Sequence, residues 1–202
     1  MSGTDVAYKN KTSNLDKYSK NFIIKELQNY GLYKRNPYNI KCDTLLDIAC
    51  GNGVFSIEFS NFFKVKGEDL SPEGIKRANK ENKNKNIEYK CCDCINQNSK
   101  HDIVFTRCPS FFSMNDIHSD KFQKYLKHLM ERCNKIFAFG QYNQNQVTNA
   151  YKYHCKKDLN EVFSKYGTIL MNKMIGNYLY VIVKVDDGSA KCSENRLLDG
   201  KS

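Results

Sequence analysis

From residue 44 onwards, short runs of hydrophobic residues alternate with stretches in which hydrophobic residues recur three or four positions apart. Short apolar runs are typical of buried strands, and the wider spacing is typical of amphipathic helices. The first strand is predicted at residues 44–50, and the turn Gly51-Asn52-Gly53 leads from it directly into a helix that begins at Val54. Further strands are predicted at 64–69, 86–92, 103–106 and 135–140, and further helices at 72–85, 120–133 and 147–165.

The two ends of the chain add a helix and a hairpin to this alternation. Apolar residues at helical spacing predict a helix over residues 14–30, with Gly31 as its stop and a linker at 32–41. Two strands, at 167–175 and 177–185, are joined by a very short turn at Gly176-Asn177, which predicts an antiparallel hairpin. We therefore expect an α/β fold, a doubly wound, mostly parallel seven-stranded sheet with a C-terminal antiparallel hairpin and helices on both faces.

The predicted elements divide the chain into three segments. They are an N-terminal helical cap and linker over residues 1–41, an α/β domain over 42–185, and a polar tail over 186–202 that we expect to fray. With 202 residues and 40% hydrophobic residues, the chain can fill one core. No stretch approaches the ~18–20 apolar residues of a membrane span, and the polar N-terminus lacks the apolar core of a signal peptide. We therefore expect a cytoplasmic protein that does not associate with membranes.

The formal net charge of +10 raises the question of a nucleic-acid partner. Residues 1–100 carry 17 basic and 12 acidic side chains, and residues 101–202 carry 15 and 10, so each half contributes +5. The excess is spread along the chain and is not gathered into a basic tail. It permits an RNA or phosphate partner and does not by itself indicate one.

Nine cysteines are many for this length, and the cluster Cys91-Cys92-Asp93-Cys94 has the composition of a metal site. A structural zinc site usually needs a second pair of cysteines at similar spacing, and the sequence offers none. We therefore predict no metal. Most of the cysteines lie in apolar runs, where we expect reduced thiols that pack as small hydrophobic side chains.

Three successive predicted strands each carry a carboxylate within or at the end of the strand, in register with the glycine turn. Asp47 lies inside the first strand, Asp69 ends the second and Asp93 follows the third. Such a set suits a ligand that presents an ammonium group, a ribose and an adenine, whereas it would repel a pyrophosphate. The third glycine of a dinucleotide-binding fingerprint is replaced by Ser56, which disfavours a nicotinamide-linked dehydrogenase. The alternative is that each carboxylate is an ordinary solvated acid after a strand.

Four segments of the chain resemble the motifs of a known family. The segments LLDIACGNGVFS, KGEDLSPEGIKRA, IEYKCCDC and HDIVFTRC resemble, in order, motifs of the class I S-adenosylmethionine-dependent methyltransferases, which have a Rossmann-like, seven-strand domain. The resemblance covers about residues 44–140, and the C-terminal hairpin is similar to the last two strands of that fold. It implies S-adenosylmethionine as cofactor and S-adenosylhomocysteine as product. Ala49-Cys50 departs from the family pattern, which often has glycine and a small residue there.

The resemblance also implies a role for individual residues in cofactor binding. The implied set comprises Asp47 and the turn from Gly51 to Gly53 at the methionine end, Asp69 at the ribose, Leu70 beside the adenine, Asp93 at the adenine amino group with Cys92 and Cys94 flanking it, and in addition Ala49 and Arg107.

The methyl acceptor is less well defined by the sequence. After the fourth strand the chain reads Arg107-Cys108-Pro109-Ser110-Phe111-Phe112. Enzymes that methylate adenine or glutamine amides carry Asn or Asp, two prolines and an aromatic residue there, so this chain lacks the polar residue that would hold a target amino group. Methyl transfer from a sulfonium depends mainly on alignment, sometimes with the help of a general base, and the sequence leaves open whether one is used. Tyr18 and His118 are the candidate catalytic side chains, with packing and surface exposure as their respective alternatives.

Four functional hypotheses follow. The leading one is a methyltransferase that acts on a small molecule, and the second is a methyltransferase that acts on RNA or protein. A non-catalytic cofactor-binding subunit and a dehydrogenase are the others, and the glycine turn with its three carboxylates disfavours both. The sequence leaves open the target atom and the oligomeric state.

Overall fold

The computed structural model describes residues 17–32, 40–143 and 153–186 of the chain, and its strands follow the apolar runs of the sequence. The strands are β1 (Thr44–Ile48), β2 (Lys64–Asp69), β3 (Ile87–Cys91), β4 (His101–Arg107), β5 (Cys133–Tyr142), β6 (Gly167–Ile175) and β7 (Tyr178–Val185). The helices are α1 (Lys17–Leu32), α2 (Val54–Phe59), α3 (Pro72–Glu81), α4 (Ser110–Met114), α5 (Asp120–Glu131) and α6 (Lys156–Phe163), with a short 3-10 turn at Cys94–Asn96.

All seven strands belong to one sheet, in the order β3-β2-β1-β4-β5-β7-β6. The first five strands pair in parallel, while β7 pairs antiparallel with both β5 and β6. The chain order reverses between β1 and β4, and the carboxyl ends of strands at such a point form the usual ligand crevice of a doubly wound sheet. The predicted fold class, including the C-terminal antiparallel hairpin, is confirmed.

Two hydrophobic layers cover the faces of the sheet. Alternate residues of β4 show the division, because Ile103 and Phe105 belong to the layer that contains buried residues of α1 and α2, whereas Val104 belongs to the other. That second layer is built with the apolar stripes of α5 and α6. Burial on both faces explains why the inner strands read as nearly continuous apolar runs. In the described ranges, no helix combines the length and apolar character that a membrane crossing requires.

The boundaries of several elements differ from the predictions. The helix α1 continues through Gly31 to Leu32, because the Gly31 carbonyl accepts a hydrogen bond from the Cys42 backbone N–H (2.9 Å) and the residue packs against buried side chains. The helix α3 ends at Glu81, four residues early, because Asn82 is extended. The short helix α4 and the 3-10 turn were not predicted.

The predicted helix over 147–165 is shorter in the structure. Residues 147–152 lie outside the described residues, and α6 begins only at Lys156. The reason is a capping box, in which the Cys155 sulfur accepts from the Asp158 backbone N–H and the Asp158 carboxylate accepts from the Cys155 N–H. The predicted residues 14–16 of α1 and 187–202 of the polar tail also lie outside the described residues.

Candidate functional site

The turn after β1, at the carboxyl edge of the sheet, contains three residues with left-handed backbone geometry. Gly51 and Gly53 have φ angles of 58° and 79°, and Ala49 has a φ of 59°. Left-handed geometry costs an L-residue such as alanine about 1–2 kcal/mol, which accounts for the glycine that related sequences often carry at that position. The turn is closed by a hydrogen bond from the Gly53 N–H to the Cys50 carbonyl (2.9 Å). Both glycines are buried, and neither carries a side chain that would separate the main chain from a neighbouring group.

The side chain of Tyr89, from β3, packs against the turn at Gly53. A Cβ added at Gly53 would collide with the Tyr89 hydroxyl, and one added at Gly67 would lie 2.6 Å from its ring. The hydroxyl also donates to the Gly53 carbonyl (3.4 Å). This contact was not predicted from the sequence, although Gly67 inside β2 is a signal for a close approach.

Asp69, at the end of β2, ties the turn to the start of α3. One of its carboxylate oxygens accepts from the Gly51 N–H (2.8 Å) and the other from the Ser71 N–H (2.8 Å). Ser71 in turn caps α3, because its hydroxyl accepts from the Gly74 N–H (3.0 Å). The side chain is thus fixed in orientation before any ligand binds.

Asp47 lies beneath the turn and is only 2% exposed. Its carboxylate accepts a 2.5 Å hydrogen bond from the Ser56 hydroxyl in the first turn of α2. Burial raises the pKa of Asp47 from its ordinary 3.8 to about 7, and the bond from Ser56 opposes that rise. Ser56 therefore has a specific partner at the position where a dinucleotide-binding fingerprint has its third glycine.

Asp47→Asn is expected to raise the melting temperature more at pH 8 than at pH 5. Between pH 4 and pH 7 the folded protein keeps a proton that the unfolded chain releases, because the folded pKa is raised to about 7. The stability contribution of Asp47 is therefore lost as the pH rises through 7. Asparagine carries no charge and still accepts from Ser56. The free energy of unfolding of the variant should therefore exceed that of the wild type by roughly 1–4 kcal/mol for a pKa shift of this size, and this difference should grow with pH. Thermal unfolding at the two pH values measures it.

Asp102→Asn should show the opposite sign. Hydrogen bonds from Lys135 and from the backbone N–H groups of Asp43 and Thr44 outweigh desolvation and lower the pKa of Asp102, so its charged form stabilises the folded protein. An equal change for Asp47→Asn at both pH values would show that the Asp47 carboxyl titrates normally.

The remaining residues of the implied cofactor set lie around this edge in different environments. Leu70 is 69% exposed beside Asp69, so it offers an apolar surface next to the carboxylate. The Asp93 carboxylate accepts from the Ile95 N–H (3.1 Å), and Cys92 beside it is half-buried. Cys94 is buried instead, and its sulfur lies 2.7 Å from the Tyr125 hydroxyl in the core.

A buried ion pair anchors the segment that follows Asp93, and the sequence analysis did not identify it. The Arg132 guanidinium, at the end of α5, donates to both carboxylate oxygens of Glu68 at 2.9 and 3.0 Å. It also donates to the carbonyls of Cys94 (3.0 Å) and Ser99 (3.1 Å). A charged residue one position before the end of a buried strand is the sequence signal that could have revealed Glu68.

The predicted catalytic candidates do not converge on one point. Tyr18 is 67% exposed at the start of α1. His118 is also exposed, between α4 and α5, where its backbone N–H donates to Asp116. Arg107, at the end of β4, stacks its guanidinium over the Tyr178 ring at 3.9 Å. Within the described part of the chain, no three His, Cys, Asp or Glu side chains are placed to hold a metal ion.

Comparisons with known proteins agree with the fold. A family model described as a methyltransferase domain matches residues 45–135. No curated protein matches the sequence. An N-methyltransferase from Bradyrhizobium japonicum, solved with S-adenosylhomocysteine, has a similar structure (TM-score 0.68, 12% identity, covering 92% of this chain and 100% of that one).

Two further solved structures are similar. The magnesium protoporphyrin IX methyltransferase from Synechocystis, with bound S-adenosylhomocysteine, gives a TM-score of 0.67 at 12% identity, covering 83% of this chain and 82% of that one. An S-adenosylmethionine-dependent methyltransferase from Clostridium acetobutylicum gives 0.65 at 18% identity, covering 90% and 97%. The chain therefore contains a methyltransferase domain over residues 45–135 and has the fold of the class I S-adenosylmethionine-dependent methyltransferases.

Proposed function

We propose that this chain transfers the methyl group of S-adenosylmethionine to a small-molecule acceptor. The observation that carries the proposal is an enclosed aromatic region next to the glycine turn, on the side of β4 away from Asp69. The rings of Phe55, Tyr178 and Tyr180 are buried there, and Ser19 of α1, which covers them, is fully buried. These rings belong to the buried layer between the sheet and α1 and α2, so an acceptor bound beside the glycine turn would contact an aromatic, enclosed wall and not an exposed surface.

The residues around the glycine turn fit the proposed cofactor. The two glycines of the turn carry no side chain that would hold a ligand away from the main chain, and Asp69 presents an oriented carboxylate for ribose hydroxyls. Leu70 offers its exposed side chain to the adenine, and Asp93 follows at the next strand. Asp47 lies beneath the turn as a buried acceptor for the methionine end. Ala49, Cys92 and Cys94 complete the proposed binding set.

S-adenosylmethionine supplies a methyl group that is already activated by its sulfonium. The protein then contributes mainly alignment, which can supply a large part of the rate. This is consistent with the separate positions of Tyr18 and His118, since a reaction of this kind needs no general base. The Synechocystis enzyme is named for a small-molecule acceptor, which supports the same class of acceptor here.

A transfer assay with methyl-labelled S-adenosylmethionine tests the proposal. A cell extract is divided by ultrafiltration into small metabolites and macromolecules, and each fraction is incubated with the wild-type protein and with Asp69→Asn. We expect label in the small-metabolite fraction with the wild type and much less with the variant. Label confined to RNA or protein would contradict the proposal and favour the second hypothesis, which the net charge of +10 supports. In that case affinity for RNA should fall steeply with salt.

A further inference from the structure

The end of β4 carries a positive charge for which the described residues provide no counter-ion. Nε and Nη2 of Arg107 are buried without an acceptor in good hydrogen-bond geometry among the described residues, where the uncharged Tyr180 hydroxyl is the polar group that faces them, and no carboxylate there pairs with the guanidinium. The side chain is held instead by rings, with Tyr178 at 3.9 Å and Phe55 at 5.3 Å from its central carbon. Buried donors without acceptors are rare in folded proteins and indicate a partner outside the described residues.

The ionisable groups that face Arg107 do not neutralise it. They are Cys108 from the end of β4 and Tyr178 and Tyr180 from β7. Burial raises the pKa of Cys108 to about 11 and raises the pKa of both tyrosines above their ordinary value. All three are therefore uncharged at neutral pH, whereas an arginine side chain keeps its charge. The guanidinium thus lies as a fixed cation among uncharged groups.

The position of the guanidinium relative to the sheet separates it from the adenosine half of the site. Asp69 and Asp93 follow β2 and β3, on one side of β1. The Arg107 side chain leans the other way, across Gly140 of β5, where an added Cβ would lie 3.4 Å from its Cγ, and onto Tyr178 of β7. The backbone after it is held in left-handed geometry (Cys108, φ 49°), with the Cys108 N–H donating to the Gly140 carbonyl (2.7 Å). The guanidinium therefore lies in the aromatic region proposed above for the acceptor.

We propose that Arg107 binds a carboxylate or phosphate group of the methyl acceptor, which is accordingly an anionic small molecule. The planar fork of a guanidinium accepts two oxygens of such a group side by side, and the rings of Phe55 and Tyr178 keep the fork in one orientation. The inference rests on the proposed function. The methionine carboxylate of the cofactor has the same chemistry, so the experiment separates the two sources.

The test compares the wild type with Arg107→Gln, Arg107→Lys and a control, Arg77→Gln. Arg77 makes only a half-exposed ion pair with Glu73, four residues away on α3. The small-metabolite extract is divided by anion exchange into bound and unbound fractions, and each is assayed for methyl transfer. Affinities for S-adenosylhomocysteine and for 5′-methylthioadenosine, which lacks the methionine carboxylate, are measured by calorimetry.

We expect wild-type methyl transfer only with the anion-exchange-bound fraction. Arg107→Gln should lower that transfer roughly tenfold or more, as the loss of a charge-assisted pair implies. The transfer rate of Arg107→Lys should lie between those of the wild type and Arg107→Gln, and Arg77→Gln should match the wild type. The affinity of every variant for S-adenosylhomocysteine should stay within about twofold of the wild-type affinity. That result would also show that the variants fold.

Three results would overturn the inference. Transfer to the unbound fraction would show an acceptor without an anionic group. Transfer by Arg107→Gln at the wild-type rate would show that Arg107 does not bind the acceptor. A loss of affinity for S-adenosylhomocysteine but not for 5′-methylthioadenosine would assign Arg107 to the cofactor carboxylate. Absence of transfer to either fraction by the wild type would instead refute the proposed function itself.

Discussion

Asp69→Asn is expected to weaken the binding of S-adenosylhomocysteine roughly ten- to hundredfold. The carboxylate holds the Gly51 and Ser71 N–H groups at 2.8 Å each, and it is the group that we assign to the ribose. Asparagine offers one acceptor oxygen where the carboxylate offers two, so at least one charge-assisted hydrogen bond is lost, worth about 1.5–3 kcal/mol. Isothermal titration calorimetry measures the change directly.

Asp102→Asn is a matched control for this effect. Its carboxylate also accepts from two backbone N–H groups, those of Asp43 (2.8 Å) and Thr44 (3.2 Å), but at the amino ends of β1 and β4, opposite the candidate site. It should lower stability and leave the affinity for S-adenosylhomocysteine unchanged. If Asp69→Asn behaves in the same way, Asp69 only stabilises the turn and its assignment to the ribose is wrong.

Much of the fold could be predicted because this sheet is buried on both faces. The inner parallel strands β1, β4 and β5 then appear as short apolar runs, and the hairpin of β6 and β7 is marked by the Gly176-Asn177 turn. What the sequence did not reveal was where helices stop, since that depends on partners far along the chain. Gly31 stays helical because its carbonyl accepts a hydrogen bond from the Cys42 N–H. The start of α6 depends on a cysteine, Cys155, that acts as the N-cap residue in a capping box with Asp158.

The candidate site was predicted less completely than the fold. Backbone geometry and strand-end carboxylates leave a direct trace in the sequence, so the turn and Asp69 could be placed in advance. The groups that support them left little trace, because each makes its contact across the sheet or between distant elements. Tyr89 packs beneath Gly53, 36 residues earlier in the sequence, and Arg132 pairs with Glu68, 64 residues earlier. The contact between Arg107 and Tyr178 on the proposed acceptor side is of the same kind, because it joins β4 to β7 and forms only in the folded sheet.

Arg132→Met is expected to lower the free energy of unfolding by about 3–5 kcal/mol, the usual effect of breaking a buried ion pair by removing one partner. Both side chains are nearly inaccessible, at 2% exposure for Arg132 and 0% for Glu68. The substitution leaves the Glu68 carboxylate with Lys66 alone, at 3.3 Å, and removes the donors to the Cys94 and Ser99 carbonyls. Because those carbonyls flank the segment after Asp93, affinity for S-adenosylhomocysteine should fall as well. Urea denaturation in the presence of reductant measures the stability.

The double variant Glu68→Leu/Arg132→Met distinguishes the ion pair from the arginine's other bonds. If the destabilisation comes from an uncompensated carboxylate, removing Glu68 as well should recover part of the loss, since a buried pair replaced by apolar side chains is often tolerated. If the double variant is no more stable than Arg132→Met, the two carbonyl bonds are the important interactions. Lys135→Met is the exposed counterpart, because Lys135 is 40% exposed in its pair with Asp102, and it should lose no more than about 1 kcal/mol. A similarly small loss for Arg132→Met would show that the buried pair contributes little, and that the segment after Asp93 is held mainly by His128, whose ring lies 3.0 Å from the Gln97 carbonyl.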